Sequence, residues 1–201
     1  MCFKTKFIII SFCFISFNSL CQNTFVPDDN FEQALIDFGF DTAPLDDNVP
    51  TSNISNITDL DIASRNITDL TGIEDFISLT NLDCSDNQIT LLNISQNTNL
   101  IELYCSANQL INLDVTNLSN LVRLWCFSNQ LSNLNVSQNP GLISLRCENN
   151  LLTNLDTTNN SILNVLVCEQ NLITTIDVSN SVGLNRFQCG NNLLTSLDVS
   201  A

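Results

Sequence analysis

The stretch Leu121-Val122-Arg123-Leu124-Trp125-Cys126-Phe127-Ser128-Asn129-Gln130-Leu131 decides how this chain folds. Its cysteine recurs every 21 residues, as Cys84, Cys105, Cys126, Cys147, Cys168 and Cys189. Five equal intervals do not arise by chance in a non-repetitive chain. The neighbours recur with it. Five residues before each cysteine stands Leu79, Leu100, Leu121, Leu142, Leu163 or Leu184, and two before stands Leu82, Leu103, Leu124, Leu145, Leu166 or Phe187. Three after stands Asn87, Asn108, Asn129, Asn150, Asn171 or Asn192, and five after stands Ile89, Leu110, Leu131, Leu152, Ile173 or Leu194. A variant copy built on Ile57, Leu60, Ile62 and Ile67 precedes these at a 22-residue spacing, with Asn66 shifted by one, which makes seven rungs. The second half of the unit alternates as well, in Leu92-Asn93-Ile94, Leu113-Asp114-Val115, Leu134-Asn135-Val136 and so on to Leu197-Asp198-Val199. Period-two alternation suits a short strand. The unit therefore predicts one strand at Leu-x-Cys, a second, short one at Leu-Asp-Val, and no room for a full helix.

One such coil cannot bury its apolar face alone, but stacked coils share a continuous core. Strands of neighbouring coils pair in parallel about 4.8 Å apart, so seven rungs span on the order of 30 Å. The column Asn87, Asn108, Asn129, Asn150, Asn171 and Asn192 is read as structural. Each amide turns inward and bonds the turn backbone of its own and neighbouring coils, because a buried amide must be satisfied. A catalytic group repeated on every rung has no rationale. The cysteine column is read as packing. Adjacent rungs bring the Cα atoms to about 4.8 Å, within disulfide reach, yet in-register parallel side chains point the same way and disfavour the dihedral of about 90° that the bond needs. A free buried cysteine packs as a small hydrophobe. Zinc is disfavoured too, since a thiolate cage needs converging ligands rather than a linear column.

Leu-x-x-Leu-x-Cys-x-x-Asn-x-Leu is the leucine-rich repeat core with cysteine at its third leucine. Residues 57–200, about 70% of the chain, resemble bacterial leucine-rich repeats of the 21-residue class. The segment from Asn66 to Leu82 is similar to the 22-residue repeat of internalin-type proteins. Departures are few: Phe187 for leucine, Thr157 for valine, and Arg65 at the first asparagine position. Pattern and resemblance together predict a leucine-rich repeat solenoid with a parallel β-sheet on the concave face, short strands on the opposite face and an N-terminal helical cap. The resemblance says much about fold and little about ligand, because such proteins bind many different partners.

The ends read differently. Residues 1–21 combine Lys4 and Lys6, an apolar run from Phe7 to Phe17, and Ser19 and Cys21 at −3 and −1 of a cut. This is the pattern of a secretory signal peptide cleaved after Cys21. Residues 22–50 lack the repeat and are expected to form a cap and a loop, with a helix over about 29–38. Asp29 three before Glu32 predicts a capping box, Phe31, Leu35 and Phe38 an apolar stripe, and Gly39 a stop. Asp41 to Thr51, with Pro44 and Pro50, is expected to be loop. The repeat domain then runs over 51–201, where Ser200-Ala201 interrupts a unit, so the sequence is expected to be a piece of a longer protein.

Composition narrows the function. The chain has 21 acidic and 6 basic residues, a net charge of −15, no histidine and 31 asparagines. Nucleic acid is a poor partner for so acidic a protein, because phosphate contacts need Lys and Arg. Without histidine, a Ser-His-Asp triad, a Cys-His dyad and a His-ligated zinc site are excluded. The acidity is local: residues 22–90 hold 14 acids and only Arg65, a net −13, whereas residues 91–201 hold seven acids and three arginines, a net −4. No nucleophile–base or acid–base pair points to catalysis, and no cofactor or metal is implied. Residues three before, one before and one after each cysteine are expected to face outward on the concave side. Those columns hold the chain's single Tyr and single Trp on adjacent rungs. The candidate ligand site is therefore Glu102, Tyr104, Arg123, Trp125, Phe127, Arg146 and Glu148, since rigid aromatics with arginine are typical anchors. A plainer account has the aromatics stacking along the sheet with arginine over the rings. The column Asp114, Asp156, Asp177 and Asp198 offers stacked oxygens for calcium, but lacks a Gly-rich calcium loop.

The expected function is a noncatalytic secreted or cell-surface scaffold that binds a protein, or a glycan, on the concave face, as a monomer without a membrane span in the mature chain. The alternatives are a passive spacer and a targeting region of a larger secreted protein.

Overall fold

A computed structural model describes residues 22–197. The export signal expected over 1–21, its cut after Cys21, and the last Asp198-Val199 pair lie outside the described residues.

The segment before the repeats begins with β1 (Asn23–Phe25), α1 (Asp29–Asp37), β2 (Asn48–Pro50) and the single turn α2 (Thr51–Ile54). Strands β1 and β2 pair antiparallel, so part of the stretch read from sequence as loop is a strand. The capping box expected at Asp29 does not form. The cap is Asp28, whose Oδ1 accepts from the Asn30 and Phe31 N–H groups at 3.0 Å each. Glu32 instead turns inward and accepts the Asp46 and Asp47 N–H groups at 2.8 and 3.1 Å. A carboxylate at full burial needs such donors, and the Asp46–Asp47 turn supplies them. The helix ends at Asp37, one residue earlier than expected, and Gly39 follows at φ 79°, the left-handed region that glycine adopts without strain. The apolar stripe is Phe31, Ala34 and Leu35; Phe38 is 40% exposed.

This segment closes the first coil. Phe31 stacks against Phe76 with ring centroids 6.2 Å apart, and Val49 and Ile54 join the same core. The second oxygen of Asp28 accepts Thr68 N and Oγ1 at 2.8 and 2.7 Å and Asp69 N at 3.1 Å. One carboxylate thus starts the helix and ties it to the solenoid. Gly72 sits at φ 102°, where an added Cβ would lie 2.7 Å from the Phe25 carbonyl, so only glycine admits this approach of β1.

The repeats form one parallel seven-stranded sheet in chain order: β3 (Asp59–Asp61), β4 (Asn81–Asp83), β5 (Glu102–Tyr104), β6 (Arg123–Trp125), β7 (Ser144–Arg146), β8 (Val165–Val167) and β9 (Arg186–Gln188). Each strand starts one residue before the expected Leu-x-Cys, and the ladder continues past its end. Cys84 N donates to Tyr104 O at 2.8 Å and Asp86 N to Ser106 O at 3.0 Å. The chain then turns through a left-handed residue on every rung: Ser64, Asp86, Ala107, Ser128, Asn149, Gln170 and Asn191, at φ 51–57°.

The second strand expected at Leu-Asp-Val is absent among the described residues. The burial pattern was rightly read, since Leu92 and Ile94 are buried and Asn93 is exposed. The backbone bonds run within the coil instead, Asn97 N to Ile94 O and Leu100 N to Asn97 O at 3.1 Å each, so this side is a series of tight turns. The Asp or Asn between the two apolar residues fixes the turn. Asp114 Oδ1 accepts Thr116 N and Oγ1 at 2.9 and 2.6 Å, and Asp156 holds Thr158 likewise at 3.0 and 2.7 Å. These side chains are local turn formers.

The inward asparagines make the bonds that close the other corner. Asn129 Nδ2 donates to Cys105 O and Cys126 O at 3.0 and 3.1 Å, while its Oδ1 accepts Leu110 N at 2.9 Å. Asn108, Asn150, Asn171 and Asn192 repeat the arrangement, and Asn87 accepts two donors, Arg65 N and Ile67 N. A second inward set, Asn97, Asn139 and Asn160, is fully buried on the turn side and was not singled out in the sequence. Asn97 Nδ2 donates to Ile73 O and Phe76 O on the coil before, at 2.9 and 3.1 Å.

Candidate functional site

Strands β5, β6 and β7 place the seven candidate residues side by side. Register pairs Glu102 with Arg123 and Arg123 in turn with Ser144, and Tyr104 with Trp125 and Trp125 in turn with Arg146. Phe127 and Glu148 follow at the bends just after the cysteines. Their rings and charges form one connected set. Tyr104 and Trp125 meet edge-on with centroids 4.8 Å apart. The Arg146 guanidinium lies 5.3 Å from the Trp125 ring centre and 4.6 Å from that of Phe127. Arg146 also pairs with Glu148, and Arg123 with Glu102. Tyr104 donates its hydroxyl to Glu102, and Trp125 Nε1 donates to Ser144 Oγ at 3.2 Å.

The geometry of the plainer account, arginine stacked over rings, is therefore present. Its chemical consequence is specific. Each arginine in the set has its own carboxylate, so the formal charge of the seven residues cancels. Arg146 is held between two rings and an acid, with little freedom left to lose on binding. Burial, with the Glu102 acceptor and its charge, pushes the Tyr104 hydroxyl up to about 12, so it stays a neutral donor. What the site offers outward is a rigid aromatic ridge rather than free charge. Not every outward column is open. Ser106, Ser144 and Val167 are only 6%, 8% and 2% exposed, covered by larger neighbours. Ser144 was missed as a support for Trp125 because serine in a column of larger residues carries no signal of its own.

Beneath the ridge the cysteines Cys84 through Cys168 are fully buried and Cys189 is partly so; all six are free thiols. Burial pushes the Cys126 and Cys168 thiols up to about 12, helped by nearby Glu148 for Cys126 and by Cys189, Glu169 and Glu148 for Cys168. A thiol held there is inert at neutral pH, since the thiolate is the reactive form. Among the described residues no three metal-ligating side chains converge on a point. Nor is any helix among them long and apolar enough to cross a membrane.

A stacked sheet with a cysteine on six successive coils has a solved counterpart. The structure of the functional domain of InlJ from Listeria monocytogenes, described as including a cysteine ladder, superposes with a TM-score of 0.57 and 33% identity, over 89% of this chain and 50% of that one. The chain has the leucine-rich repeat fold and is similar to internalins. Internalin J of Listeria monocytogenes serotype 4b (strain F2365) is 42% identical over 76 residues, 38% of this chain and 8% of that protein. The chain thus spans half of the solved domain and a small part of the whole relative. The leucine-rich repeat protein LIC12759 of Leptospira interrogans superposes with a TM-score of 0.64 at 25% identity, over 75% of this chain and 42% of that one. Internalin C2 shares the fold, with a TM-score of 0.63 at 23% identity, over 90% and 93% of the two chains. No family model matches the sequence.

Proposed function

We propose that this chain is a noncatalytic protein-binding module, exported by the signal at 1–21, that holds its ligand on the concave face over strands β5–β7. The observation that carries the reading is the aromatic ridge. Tyr104, Trp125 and Phe127 stand on adjacent rungs, the last two held by Arg146 and Tyr104 by Trp125 and Glu102, all partly open to solvent. Preordered aromatics lose little freedom on binding and tend to dominate interface energies. Likeness to internalins supports a protein-interaction scaffold. Glycan binding is the variant of this reading in which the same rings stack on sugar faces; a passive spacer would leave the ridge without a ligand.

The test uses Trp125→Ala, which truncates a partly exposed ring and keeps the core. Wild-type and variant chains of equal melting temperature are immobilised and exposed to extracellular fluid and to glycan arrays. Capture of a protein by wild type, reduced at least about ten-fold in the variant, is the expected outcome. Equal capture by both removes the ridge from the mechanism, and binding confined to glycans replaces protein with sugar as the ligand.

A further inference from the structure

A second concave feature lies one step toward the N-terminal end. The turn that follows α1 brings Phe38 and Phe40, with ring centroids 5.9 Å apart, over strands β3–β5. Together with Tyr104 they wall a cleft of about 470 Å³ whose floor is Leu60 and Leu82. Asp59, Asp61 and Asp83 also line it. Asp61 and Asp83 are register partners on β3 and β4, so two like charges stand side by side on the sheet. Such a pair opposes folding. The fold does nothing to neutralise it. Residues 22–197 contain no lysine and four arginines. Arg65 pairs with Asp37, Arg123 with Glu102, Arg146 with Glu148, and Arg186 bonds Gln188.

The carboxylates are nevertheless held in place. Asp59 accepts Thr58 Oγ1 at 2.7 Å and Asn81 Nδ2 at 2.8 Å, and Asp61 Oδ1 accepts Ala63 N at 3.1 Å. Asp83 Oδ1 accepts the Ser85 N–H at 3.0 Å. Asp61 and Asp83 each use one oxygen on their own chain, which leaves the other for a ligand. Aromatic walls with fixed, unneutralised acids match a long side chain with an apolar stem and a cationic head.

We propose that this cleft receives a lysine or arginine side chain of a protein partner. The site extends the reading of the concave face as a protein-binding surface, since it adjoins the ridge at Tyr104 and Glu102. It does not need Trp125. A basic side chain entering here would relieve the Asp61–Asp83 repulsion and cover the rings in one step.

The experiment titrates the chain with the peptide acetyl-Ala-Arg-Ala-amide and its lysine, norleucine and glutamate counterparts, following backbone amide resonances. The basic peptides are expected to move the resonances of residues 59–61 and 81–83, while norleucine and glutamate leave them in place. The double variant Asp61→Asn with Asp83→Asn keeps the local acceptors; it is expected to melt at or above the wild-type temperature and to bind the basic peptides about ten-fold more weakly, as does wild type at 0.5 M salt relative to about 0.05 M. Trp125→Ala is expected to bind them within two-fold of wild type, so a failure of the ridge and a failure of the cleft give different results. Equal shifts with the norleucine peptide, undiminished binding by the double variant, or the same shifts from calcium alone with none from the peptides would overturn the proposal.

Discussion

The first coil of the solenoid and the last described one have the same repeat pattern and different surroundings. At the first, Leu60, Ile62 and Ile67 are 3%, 0% and 0% exposed, beneath the segment of Phe31, Leu35, Val49 and Ile54. At the last, the equivalent Phe187, Cys189 and Leu194 are only partly buried. Apolar residues at the same repeat positions are core in one place and partly exposed in the other. A coil's burial is therefore supplied by its neighbours rather than by its own sequence.

Breaking the closure at the first coil is the severest test of that statement. Phe31→Ala removes a fully buried ring stacked on Phe76 and is expected to cost about 3–5 kcal/mol in chemical denaturation. A loss under about 1 kcal/mol would show that the end segment contributes little to burial. Next is the asparagine column. Asn129→Ala leaves the Leu110 N–H without a partner inside the stack, removes one of the two donors to the Cys105 carbonyl, and is expected to cost about 2–3 kcal/mol. Asn192→Ala makes the same change on the partly open coil, where water reaches the freed groups, and is expected to cost less than about 1 kcal/mol. Equal losses would break the comparison.

Asp28 sharpens it through pH. Burial alone raises this carboxyl, but donors from Thr68, Phe31 and Asp69 outweigh it and hold the group below the usual carboxylate value. The folded pKa is thus lower than the unfolded one. The contribution is complete above the unfolded value of about 4 and is lost as pH falls through the folded value. Asp28→Asn is expected to lose about 1–2 kcal/mol at pH 7, with the gap to wild type closing as pH drops from about 4 toward 2. A gap constant with pH would assign the loss to packing. The smallest expected effect concerns the left-handed turn residues. Ala107 sits at φ 51° with no side-chain acceptor to favour that conformation, so Ala107→Gly is expected to gain about 0.5 kcal/mol in thermal unfolding. A loss would mean that the strain there is already relieved.

The interval between cysteines made the sheet, its register and the inward asparagines legible in the sequence, because periodicity is a one-dimensional signal. The extra strand on the opposite face was expected from alternation alone. Alternation reports which side chains are buried, but not whether the backbone bonds its neighbour or itself. The cap residue is Asp28 rather than Asp29 because, although both can accept from a helix start, Thr68 and Asp69, some 40 residues away, donate to Asp28. The ridge was visible as a column of rings. That its arginines are neutralised within it was not, since Glu102 and Glu148 reach them across strand and bend. The cleft could not be seen at all from the repeat, because one wall comes from Phe38 and Phe40, outside it.

Each inward asparagine completes the coil before it: Asn108 accepts from Ile89, Asn129 from Leu110, Asn150 from Leu131. Completion therefore travels in one direction. However many coils have formed from the amino end, only the last of them is missing its acceptor, and the next 21 residues provide it. Copying one whole unit moves that frontier without adding a second. The number of coils can change by integers with every donor to this asparagine column still met.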